Sequence, residues 1–323
     1  MNIKNTLCVG LLLTSTQFVF AESQPITTAG NILSDRASYD KDTQKLHIPY
    51  VTTNFASGLK ASADLSLSPT TDSQGRALFS LDLSKGLHTL EKPHFDYTGD
   101  QGPEFWAKLT TDYKTCGIGK NQSPINLINT ADDEHKAIGV DLTDITFKYA
   151  STALNIENNG HTVEVVYNKG SSISLRGKTY NLLQFHFHTP SEHTINGQNV
   201  PMEMHLVHKS EDGALAVVGV LITAGAENAA FKDVVDHIPA EKKEVETIAN
   251  KTVDANKLLP SEILEYRYSG SLTTPPCSEG VQWLVLKKSV EMSQAQIDAF
   301  IKAMGSNNRP IQAINARDVL SNL

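Results

Sequence analysis

Leu182-Leu183-Gln184-Phe185-His186-Phe187-His188 alternates polar and apolar residues with a period of two. On a strand that period sends Gln184, His186 and His188 to one face and Phe185 and Phe187 to the other. A second stretch, Glu203-Met204-His205-Leu206-Val207-His208, has the same character, and on a neighbouring strand its His205 would supply a third imidazole. Three histidines with no fourth protein ligand form the donor set of a zinc site that keeps one position open. Histidine pairs on strands also serve as surface or hydrogen-bonded core residues, so spacing alone leaves both readings open. Glu203 stands two residues before His205, and Gln184 two before His186. Each is on the matching face, where it can accept the second N–H of an imidazole. Acids are seldom buried unless paired, which favours that role for Glu203 over a solvated edge charge.

Short strand candidates surround these two stretches, at residues 145–149, 161–167, 179–188, 202–208, 214–223 and 281–287. Helices are few. Ser293 and Gln296 make a capping box ahead of Ile297, Phe300, Ile301 and Met304 at helical spacing, and residues 229–238 are a second candidate. Many strands with peripheral helices predict a mainly β (α+β) domain over residues 94–323. Residues 22–93 differ in being rich in Ser, Thr and Asp, with alternating stretches at 46–51, 63–67 and 77–81 and a turn at Asp72-Ser73-Gln74-Gly75. They read as a small β-rich N-terminal extension whose hairpins would not be stable alone, and they are expected to pack on the larger domain.

Composition narrows the functional classes. With 323 residues, 40% of them hydrophobic, the chain can bury a sizeable core, which excludes disordered, collagen-like and coiled-coil architectures. The 28 Lys and Arg against 36 Asp and Glu give a net charge of −8. No long single-sign run occurs, so a nucleic-acid partner is excluded. Lys4, the apolar run 7–13 and Val19-Phe20-Ala21 read as a signal peptide over residues 1–21, cleaved before Glu22. Thr14-Ser15-Thr16-Gln17 interrupts the run too early for a membrane span, so the mature form is expected to have none. Cleavage removes Cys8 and leaves Cys116 and Cys277. In an oxidising compartment two cysteines suggest one disulfide, against the alternative of two buried free thiols.

Residues 94–323 resemble the α-class carbonic anhydrases of secreted bacterial type. The resemblance rests on Gly102-Pro103-Glu104-Phe105-Trp106, Asn121-Gln122-Ser123-Pro124-Ile125, Asn158-Asn159-Gly160-His161, Gln184 to His188, Ser191-Glu192-His193, Glu203 to His208, Ser271-Leu272-Thr273-Thr274-Pro275-Pro276 and Asn308-Arg309-Pro310, in the family's order. It implies a central, largely antiparallel twisted sheet with short peripheral helices. It also implies one Zn2+ per chain on His186, His188 and His205, with Gln184 and Glu203 behind them. The implied reaction is reversible hydration of carbon dioxide to bicarbonate and a proton, by attack of zinc hydroxide.

By the same match Thr273 orients the hydroxide and hands its own hydrogen bond to Glu192. Val207, Val217, Leu272, Val281 and Trp283 wall the substrate pocket, and Thr274 contacts bicarbonate. His161 takes the position of the proton shuttle, with Tyr97 and Asn159 ordering the connecting waters. His193, Tyr268 and Arg309 are implied as structural members of the buried network. The Cys116–Cys277 disulfide, a periplasmic location and cis bonds before Pro124 and Pro276 are implied too. So are small-molecule partners: CO2, bicarbonate, water, and sulfonamide and anion inhibitors. Two departures stand out. The loop His188-Thr189-Pro190-Ser191-Glu192 is short as in bacterial members, which favours a homodimer, and Glu164 replaces an amide common on the cavity wall.

Overall fold

The alternating segments do form strands, with ends that shift: 145–149 and 161–167 shorten to Ile145–Lys148 and Val163–Val166, while 281–287 lengthens to Glu279–Met292. The protein is described from a computed structural model, defined at residues 94–128, 136–142 and 144–322, with backbone alone for six strands ahead of them. By its contacts the chain divides into two units, residues 1–94 and 95–323.

In the larger unit twelve strands share one sheet. In chain order they are β1 (Ile138–Val140), β2 (Ile145–Lys148), β3 (Thr152–Asn158), β4 (Val163–Val166), β5 (Ser172–Leu175) and β6 (Lys178–His188). There follow β7 (Met202–Lys209), β8 (Leu215–Ala224), β9 (Lys243–Val253), β10 (Glu265–Ser271), β11 (Glu279–Met292) and β12 (Leu320–Asn322). The order across the sheet is β9-β3-β4-β6-β7-β8-β11-β10-β12-β1, with β5 bridging β6 to β2. Pairings are antiparallel except β8 with β11 and β12 with β1. The expected mainly β sheet with few short helices is what the chain forms.

Opposite faces of this sheet carry different chemistry. Phe185, Phe187, Met204, Leu206, Val218 and Val220 lie in the main apolar core. Helix Gln294–Met304 covers that core, contributing Ile297 and Phe300. Ser293 Oγ accepts from Gln296 N and Gln296 Oε1 accepts from Ser293 N, so the capping box forms. A second cluster, with Val217, Tyr268, Val281 and Trp283, lies on the other side.

Segment 229–238 departs from the expected helix. Asn228 caps a 3-10 turn, Ala229–Phe231, which passes into a helix of only five residues, Lys232–Asp236. Strands β3 and β9 gave no clear signal. The buried positions of β3 include Thr152 and Asn158 as well as Leu154 and Ile156. β9 is an exposed edge strand along most of its length, so neither has a clean apolar alternation.

Cys116 and Cys277 are joined by a disulfide, closing a sequence separation of 161 residues. The bonds before Pro124 and Pro276 are cis, and so is Thr189–Pro190, which was not anticipated. In the smaller unit, strands Lys45–Thr52, Lys60–Thr71 and Ala77–Leu81 cover the three expected stretches. The expected signal peptide lies outside the described residues, apart from Phe18–Val19, which pair with Phe79 and Leu78. Among the described residues no helix is long and apolar enough to cross a membrane.

Candidate metal centre

Strand register assembles the three histidines. His186 of β6 pairs directly with His205 of β7, and His188 pairs with Glu203. Residues opposite one another in a sheet share a face, so two strands supply all three imidazoles and one carboxylate to the same surface. One ring nitrogen from each histidine lies within 4.8 Å of the others, and the ring centroids are 4.6–5.3 Å apart.

The opposite nitrogen of every ring has a partner. His186 Nδ1 lies 2.8 Å from Gln184 Oε1, His188 Nδ1 2.8 Å from the main-chain oxygen of Asn307, and His205 Nε2 2.8 Å from Glu203 Oε1. Each acceptor fixes a tautomer that turns the remaining nitrogen's lone pair inward. Inside the cluster His188 Nε2 is buried with no hydrogen-bond partner. Burial also depresses all three imidazoles, His188 to about 4, His186 well below its usual value and His205 likewise downward. They are therefore neutral at physiological pH, the form a metal requires. A borderline-soft divalent cation with an open coordination position fits this donor set.

Glu203 anchors the arrangement. Its Oε2 accepts from the main-chain N–H groups of Glu192 and His193, at 3.0 and 2.8 Å, while Oε1 faces His193 Nδ1 and His205 Nε2 at 2.7 and 2.8 Å. Burial alone would raise its carboxyl, but His193 and His205 outweigh that and hold it well below the usual range. His193 Nε2 continues to Tyr268 Oη at 2.7 Å, and Tyr268 to Ser123 Oγ at 2.8 Å.

Glu192 is the second buried acid. Oε1 accepts from the Arg309 N–H at 2.8 Å, and Oε2 lies 3.6 Å from His188 Nε2 and 3.9 Å from His205 Nδ1. Burial pushes its carboxyl up to about 7, against the opposing pull of His205, the Arg309 amide and the Thr273 hydroxyl beside it. Thr273 is itself buried, and Thr274 is partly exposed next to it. The expected wall residues form a cross-strand row: Val207 pairs with Val217, Val217 with Trp283, and Val281 and Leu272 pack in the same cluster. Trp283 sets its ring edge-on to His193 and His205, centroids 4.8 Å from each.

His161 sits on the β3–β4 turn. Gly160 takes φ +89°, and Asn159 Oδ1 accepts from His161 N and Thr162 N at 2.9 Å each, a side-chain-held turn. The imidazole stacks on Phe95, centroids 4.0 Å apart and 7° from parallel. Tyr97 packs edge-on to Trp106, and its phenol is raised by burial and by the nearby Glu192 charge.

Two contributors were missed in the sequence. Asn307 acts on His188 through a main-chain oxygen, which no side chain advertises. Gly219 pairs with His205, and a Cβ there would come within 2.9 Å of Glu203 Oε1. Its only signal was a glycine inside the apolar run Ala216-Val217-Val218-Gly219-Val220-Leu221-Ile222.

Residues 101–323 match the family profile described as eukaryotic-type carbonic anhydrase. The chain belongs to that family. A carbonic anhydrase of Neisseria gonorrhoeae is 43% identical over 237 residues, 73% of this chain and 89% of the relative. Among solved structures, the α-carbonic anhydrase of Thermovibrio ammonificans in complex with sulfanilamide is 45% identical with a TM-score of 0.68, covering 71% of this chain and all of that one. The Photobacterium profundum α-carbonic anhydrase is 36% identical with a TM-score of 0.65, covering 70% of this chain and 100% of its own. The protein is thus a carbonic anhydrase, an enzyme of carbon dioxide hydration.

The partners of the imidazoles and the neighbouring hairpin can each be tested. Gly219→Ala should push Glu203 off His205 and weaken metal binding by roughly 10–100-fold, the usual range for outer partners, carbonic anhydrases included; competition with a chelator measures it. Glu164 faces Glu157 across the hairpin, and burial, then that repulsion, raises its carboxyl from 4.5 to about 7. An acid raised on folding costs nothing while protonated, and the cost grows as pH climbs from its unfolded value through its folded one. In metal-free protein Glu164→Gln should therefore stabilise the fold by up to about 3 kcal/mol above neutral pH and change little near pH 4.5, read from denaturant unfolding at both.

Proposed function

We propose that this carbonic anhydrase hydrates CO2 at a centre in which His186, His188 and His205 hold one zinc ion per chain. The observation that carries the reading is three convergent, neutral imidazoles, each with its outward nitrogen already engaged. When bound, zinc supplies a Lewis-acid charge that makes hydroxide available at neutral pH, carbonic anhydrase being the usual example of such chemistry.

The chain's own residues do the rest. Gln184, Asn307 and Glu203 fix the ring tautomers. Thr273 accepts a hydrogen bond from the nucleophile and donates its own to Glu192, so the nucleophile's lone pair is aimed rather than free to rotate. Val207, Val217, Leu272, Val281 and Trp283 offer CO2 an apolar wall with no hydrogen-bond competitor, and Thr274 contacts the bicarbonate product. His161 receives the released proton and passes it to buffer, imidazole being the side chain suited to changing charge between pH 5 and 8. Tyr97 and Asn159 flank that route. Sulfonamides and small anions would compete at the same centre.

The domain reading is a signal peptide at residues 1–21, a β-rich extension at 22–93 and the catalytic domain at 94–323. A periplasmic location follows from the leader and fits the disulfide. N-terminal sequencing of chain exported to the periplasm should begin at Glu22; retention of residues 1–21 would refute the leader.

Stopped-flow CO2 hydration, with zinc content measured on the same sample, should show activity proportional to zinc up to one per chain, lost on chelation. Zinc-replete protein without activity would overturn the reading. His188→Ala should abolish zinc retention. His161→Ala should lower steady-state hydration by at least about tenfold, a modest share of general acid–base catalysis. CO2–bicarbonate oxygen exchange should be nearly intact, and imidazole buffer should restore the rate.

A further inference from the structure

The described residues include four methionines, of which Met202, Met204 and Met292 are fully buried. Met304, the last residue of helix Gln294–Met304, is only partly buried. Its Sδ accepts the main-chain N–H of Val163 at 3.1 Å and lies 3.6 Å from Thr162 Oγ1 and 4.0 Å from Asn307 Nδ2. A thioether is a weak acceptor, yet this one takes a main-chain N–H and has two further polar groups close beside it.

Each of the three leads to the active site. Thr162 and Val163 directly follow His161 on its turn, and Thr162 Oγ1 donates to Phe187 O at 2.6 Å, between His186 and His188. Asn307 Nδ2 donates to His161 O and Phe187 O at 2.9 Å each, while the Asn307 main-chain oxygen accepts from His188 Nδ1. The sulfur is thus the point where the helix end touches both the His161 turn and the residue that orients His188.

We propose that Met304 is an oxidative modification site, and that its sulfoxide shifts the His161 turn and slows proton release. The inference rests on the reading of His161 as the proton carrier. The oxidant is a hydroperoxide. A sulfur lone pair attacks its terminal oxygen, the S–O bond forms as the O–O bond breaks, and the proton on that oxygen ends on the departing oxygen, which leaves as water or an alcohol. Sulfur gives up two electrons and the peroxide takes them.

Geometry makes the product disruptive. An N–H···O bond needs about 2.9 Å between nitrogen and oxygen, nearly the whole 3.1 Å that now separates Val163 N from Sδ. An oxygen placed between them forces sulfur and strand apart by about one S–O bond length. The new oxygen is also a much stronger acceptor than the sulfur and competes for Thr162 Oγ1 and Asn307 Nδ2, which now serve Phe187 and His161.

The test treats zinc-loaded, full-length protein with graded hydrogen peroxide. Peptide mass spectrometry should show Met304 gaining one oxygen well before Met202, Met204 and Met292, with faster amide hydrogen exchange in the peptide carrying Val163. Steady-state hydration should fall several-fold while CO2–bicarbonate oxygen exchange holds. Imidazole buffer and methionine sulfoxide reductase should each restore turnover. Met304→Leu, normalised to its own untreated rate, should lose the sensitivity. Preferential oxidation of Met202, Met204 or Met292, equal inhibition of Met304→Leu, or full oxidation of Met304 with turnover and exchange unchanged would overturn the proposal. If untreated protein fails to hydrate CO2, the functional reading falls separately, and the oxygen map with the Val163 exchange rate still decides whether the site exists.

Discussion

A single buried carboxylate, Glu203, sets the terms for everything around it. A bare carboxylate removed from water costs several kcal/mol even after relaxation, so this one persists only because four donors close on its two oxygens. Those donors come from His205 on its own strand and from the segment Glu192-His193, eleven and ten residues earlier. Satisfying Glu203 therefore fixes, in one stroke, the tautomer of His205, the ring of His193 and the backbone path that delivers Glu192. The remaining lone pairs of the imidazole cluster are left with a cation as their natural partner.

The sheet can hold this charge because its two faces are divided so sharply. Phe185 and Phe187 alternate with Gln184, His186 and His188, and Met204 and Leu206 alternate with Glu203, His205 and Val207. The phenylalanines lock into a core covered by a capped helix. One-residue slippage of β6 or β7 would exchange the faces and bury histidines among aromatic rings, so the apolar core enforces the register on which ligand geometry depends. Gly219 is the local concession: the third strand gives up a side chain opposite His205 so that the carboxylate has room.

Much of this was legible because it is written in side chains at a period of two. His186, His188, Gln184 and Glu203 were placed on their faces by spacing alone, and His205 needed only the assumption that β6 and β7 are neighbours. The capping box at Ser293 was readable for the same reason, being a local pattern. Thr273 and His161 were not legible from chemistry, since a loop hydroxyl and a histidine after a glycine are ordinary, and only the family resemblance singled them out. Asn307 was out of reach because its contact to His188 is made by a carbonyl every residue has. The edge strand β9 was missed because a strand with little buried surface has no apolar alternation to show.

Arg309 shows how the covalent and electrostatic frameworks meet. Its guanidinium is almost wholly buried, donating to Gln122 Oε1, Ser123 O and Cys116 O at 2.8–3.0 Å and lying over the Trp106 ring. Gln122 in turn donates to Cys277 O, and Cys277 N to Thr274 O. Through these bonds the disulfide and the guanidinium hold the Thr273–Cys277 turn at one end. The Arg309 main-chain N–H holds Glu192 at the other. Burial lowers the guanidinium to about 10, still charged at neutral pH, with the Glu192 charge pulling it back up. Coulomb attraction is reciprocal, so the cation that organises the frame also favours the ionised form of an acid that burial would otherwise neutralise. Replacing Arg309 by an apolar residue would free the three acceptors and withdraw that support together. The arginine is therefore part of what keeps Glu192 able to accept the hydrogen bond assigned to Thr273, although it touches that carboxylate only through its backbone.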